Sequence, residues 1–74
     1  MFAVLNTMSA VSASSTVGRC ESKHRTFEAA EAANQRLQRA VKRANGQSSY
    51  LPTRIVEVKS SAKAGALMDA ADLA

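Results

Sequence analysis

The amino-acid sequence predicts an α+β fold in which a three-stranded sheet carries one long helix on one face. Three observations support this prediction: strand formers alternate with a two-residue period in residues 2–8, helix signals fill residues 26–45, and β-branched residues recur in residues 53–59. The order strand, strand, helix, strand leaves few topologies. The simplest is a ββαβ sheet with spatial order 2-1-3 and a right-handed, parallel relation between the second and third strands.

The first two strands are predicted at residues 2–8 and 17–24, joined by a hairpin loop of small polar residues at 9–16. A two-residue period divides the second strand into two faces. One face would hold Gly18, Cys20, Ser22 and His24, and the other would hold Val17, Arg19, Glu21 and Lys23. Charges of this kind are typical of an edge strand, where they discourage pairing with other chains.

The strongest local signal lies at residues 26–45 and predicts the long helix. Thr26 is a good N-cap, Gly46 supplies the stop, and acidic residues precede basic ones along the segment, in agreement with the helix dipole. A narrow apolar stripe recurs at intervals of three and four residues, formed by Ala30, Ala33, Leu37, Ala40, Val41 and Ala44. Because alanine side chains are short, this stripe predicts that the helix packs closely on a sheet.

The third strand is predicted at residues 53–59, with Pro52 immediately before it, where a missing N–H costs no ladder bond. Residues 60–74 are rich in alanine, but Gly65 and the two late aspartates weaken a helix there. The sequence therefore predicts a single ββαβ domain at 1–60 and a short or frayed C-terminal helix or flexible tail at 61–74. The sheet face opposite the long helix stays open unless that segment or a second subunit covers it.

The run from Thr26 to Ala33, its basic helix end and the strand from Arg54 to Val58 are similar to many short uncharacterised bacterial proteins. In those proteins a β-hairpin leads into a helix of this kind. The similarity covers about two thirds of the chain and rests on helix and strand chemistry. It implies the fold and no activity.

The length and composition of the chain limit the size of its hydrophobic core and the cross-links available to it. A chain of 74 residues has room for one core, and many of its apolar residues are alanines, which bury little area. The single cysteine, Cys20, excludes an intramolecular disulfide. Because small domains with thin cores often depend on a partner, a homodimer is one expectation.

The beginning of the chain does not have the pattern of a secretory signal. Residues 1–18 carry no charged side chain, so a basic n-region is missing, and Asn6 and Thr7 interrupt the apolar run. No stretch approaches the roughly 20 apolar residues of a membrane span. The sequence predicts a cytoplasmic protein without membrane contact.

The charge balance favours acidic partners, nucleic acid foremost. The net charge is +4, and residues 1–63 contain all ten basic residues but only four of the six acidic ones. Arg36, Arg39 and Arg43 recur at three and four residues and form a stripe with Lys42, to which Arg25 and Arg54 are candidate additions. Such a stripe can neutralise phosphates.

Nearby polar residues suggest how such a stripe would read its partner. Gln35 and Gln38 are candidates for polar contacts to backbone or base edges. Tyr50 is the one aromatic residue that the core does not need, so single-strand binding through stacking is disfavoured. The competing interpretation is a solvated helix face whose bases serve the helix dipole.

The sequence contains no complete pattern of residues for catalysis or for cofactor binding. Cys20 and His24 could touch one metal ion, but a structural zinc site needs four ligands, and a Cys-His nucleophile pair needs a third orienting group and a cleft. Gly18 and Gly46 are isolated and form no phosphate-binding motif. We expect no enzyme, no cofactor and no small-molecule substrate.

Two functions from different classes are consistent with these features. The leading prediction is a small basic accessory protein that binds nucleic acid through its helix face. The alternative is a structural or interaction module that dimerises or docks a protein through its open sheet face or edge. That alternative is based on the apolar residues Ile55, Val56 and Val58 of the third strand.

Overall fold

The computed structural model describes residues 1–10 and 15–74, and these residues form an α+β fold. Residues 11–14, in the predicted hairpin loop, lie outside the described part. The described elements are β1 (Phe2–Asn6), β2 (Thr16–His24), α1 (Phe27–Asn45), β3 (Thr53–Glu57) and β4 (Leu67–Asp69), with short 3-10 turns at Thr7–Ser9 and Ala70–Asp72.

The sheet has the order β3-β1-β2-β4, and every neighbouring pair is antiparallel. The predicted order 2-1-3 is therefore confirmed for the first three strands, with β1 in the middle. Since β2 and β3 both run antiparallel to β1, they run parallel to each other, as expected. The prediction of only three strands was wrong, because β4 adds to the free side of β2. For the same reason β2 is an inner strand rather than the predicted edge.

Helix α1 begins and ends where its capping residues predict. The Thr26 side-chain oxygen accepts a hydrogen bond from the Ala29 N–H at 3.1 Å. At the other end, Gly46 has a φ of 108° and donates its N–H to the Lys42 carbonyl at 2.8 Å. Both ends of the helix thus depend on local chemistry.

One face of the sheet packs against α1. Ala30 is completely buried there, and the rings of Phe2 and Phe27 meet edge to face with their centroids 6.0 Å apart. Leu37 and Val41 of the predicted apolar stripe are half-buried, whereas Ala40 and Ala44 are exposed. The helix therefore contacts the sheet along a narrower strip than the sequence predicts.

The other face of the sheet is covered by the C-terminal segment. A cluster of buried residues joins the two, formed by Ala3, Leu5, Cys20, Val58, Ala62 and Met68. The predicted C-terminal helix was wrong, because residues 67–69 form β4 and residues 70–72 form only a short 3-10 turn. Burial of Met68 and pairing with β2 outweigh the helix preference of the alanines.

A bulge in β2 changes which residues share a face. Val4 lies opposite Ser22, but Leu5 lies opposite Cys20, so Glu21 is an extra residue in β2. The prediction that Cys20 and Ser22 share a face was wrong for this reason. Cys20 joins the C-terminal cluster, while Ser22 lies across from Val4 on the side of α1.

Candidate nucleic-acid interface

Four basic side chains lie together on the outward face of α1. Arg36, Arg39, Lys42 and Arg43 are all exposed, and they span about 10 Å of the helix axis. Arg39 lies nine residues after the completely buried Ala30, which is two and a half helical turns. Arg39 therefore projects directly away from the sheet, with the other three on either side of it. We call these four residues the basic helix face.

The side chains of the basic helix face have no intramolecular partner among the described residues. The nearest acids on α1 are Glu28 and Glu31, and neither lies within three or four residues of a member of the face. Like charges at this spacing repel one another by a few tenths of a kcal/mol per pair. The face is therefore available to an external anion, which would relieve that repulsion.

The helix dipole accounts for only part of this arrangement. Lys42 and Arg43 lie in the last turn of α1, where positive charge is favourable. Arg36 and Arg39 lie further from the end, and the dipole effect is confined to the last turn. Helix stabilisation alone therefore gives no reason for arginine at both of these positions.

The C-terminal part of the basic helix face forms a shallow, open concavity. Its lining residues are Arg39, Lys42, Arg43 and Gln47. Gln47 belongs to the turn that follows α1, where the Ser49 N–H donates to the Gly46 carbonyl at 3.0 Å. The three cations and the amide NH2 of Gln47 can all donate hydrogen bonds to phosphate oxygens at this concavity.

The structure separates Arg25 and Arg54 from this surface. Arg25 lies in the bend before α1, about 27 Å along the helix axis from Arg43. Arg54 lies opposite Leu5 in the β1–β3 pair, and directly paired residues share a sheet face. Arg54 therefore projects from the face that α1 does not cover. Of the six predicted residues, four form one surface.

Gln38 has an intramolecular role that removes it from the predicted set of polar contacts. Its amide nitrogen donates to the Leu51 carbonyl at 2.7 Å, and its amide oxygen accepts from the Leu51 N–H at 3.0 Å. The same nitrogen donates to the Thr53 hydroxyl at 3.1 Å, and that hydroxyl donates to Asn34 at 2.7 Å. Gln35 is exposed and stays available for the predicted contact.

The pairing of Gln38 with Leu51 also positions Tyr50. Tyr50 directly precedes Leu51 and is 68% exposed. Tyr50 also follows Gln47 by three residues, and Gln47 lines the concavity with Arg39, Lys42 and Arg43. Three residues of chain span at most about 11 Å, so the backbone of Tyr50 lies within that distance of Gln47. The sequence indicated a free aromatic residue here, but the attachment of its segment to α1 depends on this side-chain pairing.

Cys20 and His24 do not come together as a reactive pair. Cys20 is completely buried, its thiol donates to the Ser22 carbonyl at 3.5 Å, and burial raises the pKa of the thiol above its ordinary value. A His24 ring nitrogen instead shares a hydrogen bond of 2.8 Å with the Ser22 hydroxyl. Within residues 1–10 and 15–74, no three His, Cys, Asp or Glu side chains are grouped to hold a metal ion.

The residues predicted to form an open sheet face are engaged within the chain. Val58 is buried in the C-terminal cluster, and Val56 packs against it. Ile55 is half-buried and lies opposite Val4, on the side of α1. The outer edge of β3 is bordered at its end by the C-terminus, because the Ala74 N–H donates to the Glu57 carbonyl at 3.1 Å.

None of the described helices is long and apolar enough to cross a membrane. Comparisons with protein-family models, with curated proteins and with solved structures find no match to this chain. Function must therefore be inferred from the charge and geometry of the chain itself.

Proposed function

We propose that this protein is a small, non-enzymatic nucleic-acid-binding protein that contacts the phosphate backbone through the basic helix face. The observation that supports this proposal is the grouping of Arg36, Arg39, Lys42 and Arg43 on one exposed surface without an intramolecular partner in the described part of the chain. The helix dipole explains Lys42 and Arg43 but not Arg36 and Arg39, and the four cations together match the charge of a nucleic-acid backbone.

The mode of contact follows from the residue types. Arginine presents several N–H donors in a planar fork that fits two phosphate oxygens at once, and lysine adds a mobile point charge. Each neutralised phosphate releases condensed counterions, and this release drives binding without reading sequence. Four contacts predict a slope of about −3 to −4 for the logarithm of affinity against the logarithm of salt concentration.

A salt titration tests this proposal directly. Binding to fluorescent mixed-sequence DNA and RNA is measured by anisotropy over roughly a tenfold range of salt. We expect affinity to fall with salt at the slope given above. The double variant Arg39→Glu, Arg43→Glu should bind at least about tenfold more weakly to every sequence, since two attractive contacts become repulsive.

A matched control distinguishes the effect of the basic helix face on binding from the effect of net charge. Lys59 and Lys63 are exposed residues of the C-terminal segment, on the opposite side of the sheet from α1. The double variant Lys59→Glu, Lys63→Glu changes the net charge by the same amount and should retain most of the binding. Equal loss in both double variants, or no binding at low salt by the native protein, would contradict the proposal.

One structural feature supports the alternative, a protein-interaction module. It is the position of β3 (Thr53–Glu57) at the outside of the sheet. An outer strand offers backbone groups to a strand from another chain. Its homodimer form predicts a mass of two chains in light scattering at high protein concentration. A monomer mass at that concentration would remove this form.

A further inference from the structure

We infer that the basic helix face prefers single-stranded to duplex nucleic acid, because Tyr50 stacks on an unpaired base while the adjacent cations hold the neighbouring phosphates. This inference rests on the proposed function and specifies its substrate. It also differs from the expectation based on sequence, which disfavoured stacking because only one aromatic residue was free.

The segment that carries Tyr50 is held on both sides. Before Tyr50, the Ser49 N–H donates to the Gly46 carbonyl at 3.0 Å. After it, Leu51 makes its two hydrogen bonds with Gln38, and the Pro52 carbonyl accepts from the Thr7 N–H at 3.0 Å. Tyr50 is therefore mounted on an anchored backbone, so the ordering cost of using it as a platform is small.

Most of the ring is free to receive a ligand. Tyr50 is 68% exposed and makes no side-chain hydrogen bond or ring contact with another described residue. Met8, which follows Thr7 in the adjoining 3-10 turn, is also largely exposed. Tyr50 lies three residues after Gln47, which lines the concavity of the basic helix face, and Met8 belongs to the 3-10 turn that is hydrogen-bonded to Pro52. A flat base has an apolar face that matches such a surface.

Duplex and single strand differ in what they can offer to this surface. In a duplex the bases are stacked on each other, so only phosphates are available to the basic helix face. A single strand can turn a base outwards and stack it on an aromatic ring while its phosphates contact arginine and lysine. Both forms should therefore show salt-dependent binding, but only the single strand should use Tyr50.

The test compares oligonucleotides of about ten nucleotides, single-stranded and as a duplex of the same sequence. Tyr50→Ala should weaken binding to the single strand about tenfold and leave binding to the duplex unchanged. Tyr50→Phe is the matched control, because it keeps the ring and removes only the hydroxyl. It should bind the single strand almost as the native protein does.

A second measurement reports on the ring itself. The chain contains one tyrosine and no tryptophan, so its intrinsic fluorescence comes from Tyr50. Stacking should quench this fluorescence when the single strand is added, and an equal concentration of bound duplex should quench it much less. This readout does not depend on any substitution.

The outcomes distinguish the two levels of the proposal. Salt-dependent binding of both forms with equal affinity, unchanged by Tyr50→Ala and without preferential quenching, would overturn the single-strand preference and leave the proposed function intact. Absence of binding to either form at low salt would overturn both.

Discussion

At Gly18 the backbone of β2 passes very close to β1. The residue has a φ of 148°, and a Cβ placed there would overlap the carbonyl oxygen of Asn6 and meet a methyl group of Leu5 at 3.1 Å. The sequence shows an isolated glycine in a strand, which is typical of a bulge or a close approach. The register of β2 changes between Thr16 and Gly18, in agreement with that pattern.

Replacement of Gly18 by alanine should therefore destabilise the sheet. We expect Gly18→Ala to lower the free energy of unfolding by about 1–3 kcal/mol, measured by urea denaturation. Gly46→Ala is the control, because its φ of 108° is also unfavourable for alanine but its Cβ would meet nothing within 4 Å. An equal loss in both variants would show that strain in φ, rather than contact with Asn6, limits position 18.

Cys20 shows how one extra residue changes the environment of a side chain. The strict two-residue period places Cys20 with Ser22 and His24, but the extra residue Glu21 transfers Cys20 to the buried cluster. Burial then disfavours the thiolate and raises the pKa of the thiol. The sequence could predict a small strand cysteine, whereas its complete burial depends on the bulge and on the C-terminal segment.

At the scale of elements, α1 is the part of the fold that local sequence determines most fully. Its caps, its charge order and its apolar stripe are all local features, and both predicted ends are confirmed. The basic helix face follows from the same regularity, because residues three and four apart on a helix share a side. The position of Arg54 depends instead on strand register, which the helix period does not determine.

The connection between α1 and β3 depends on Gln38. We expect Gln38→Ala to lower the free energy of unfolding by about 1–3 kcal/mol, because the Leu51 N–H and carbonyl and the Thr53 hydroxyl lose a partner. Gln35→Ala on the exposed side of α1 should change it by less than about 0.5 kcal/mol. Urea denaturation followed by circular dichroism gives both values, and equal values would contradict a special role for Gln38.

At the scale of the whole molecule, the C-terminal segment completes the core. It contributes Val58, Ala62 and Met68 to a cluster whose other members come from β1 and β2. It also lies over the sheet face that was a candidate for docking. A thin core is thus extended by the chain's own C-terminal segment, whereas the small size of the chain had suggested a partner subunit.

A substitution at Met68 tests how much the C-terminal segment contributes to the stability of the core. Met68 is 1% exposed, so Met68→Ala should leave a cavity and lower the free energy of unfolding by about 2–5 kcal/mol. The neighbouring Leu67 is 55% exposed on the same strand, and Leu67→Ala should cost less than about 0.5 kcal/mol. Thermal and urea denaturation check both values. A small effect of Met68→Ala would mean that the segment adds little to the core.

Sequence patterns were enough to predict the α+β class, the ends of α1, the first three strands with their order and the grouping of four basic residues on one helix face. Most of these features depend on capping and periodicity, which act between residues close in the chain, whereas the strand order follows from the rule for right-handed parallel crossovers. Sequence patterns did not predict the fourth strand, the bulge in β2, the separation of Arg54 or the position of Tyr50. Each of these depends on contacts between residues distant in sequence, such as Met68 with Gly18 and Leu51 with Gln38, and no local pattern carries that information.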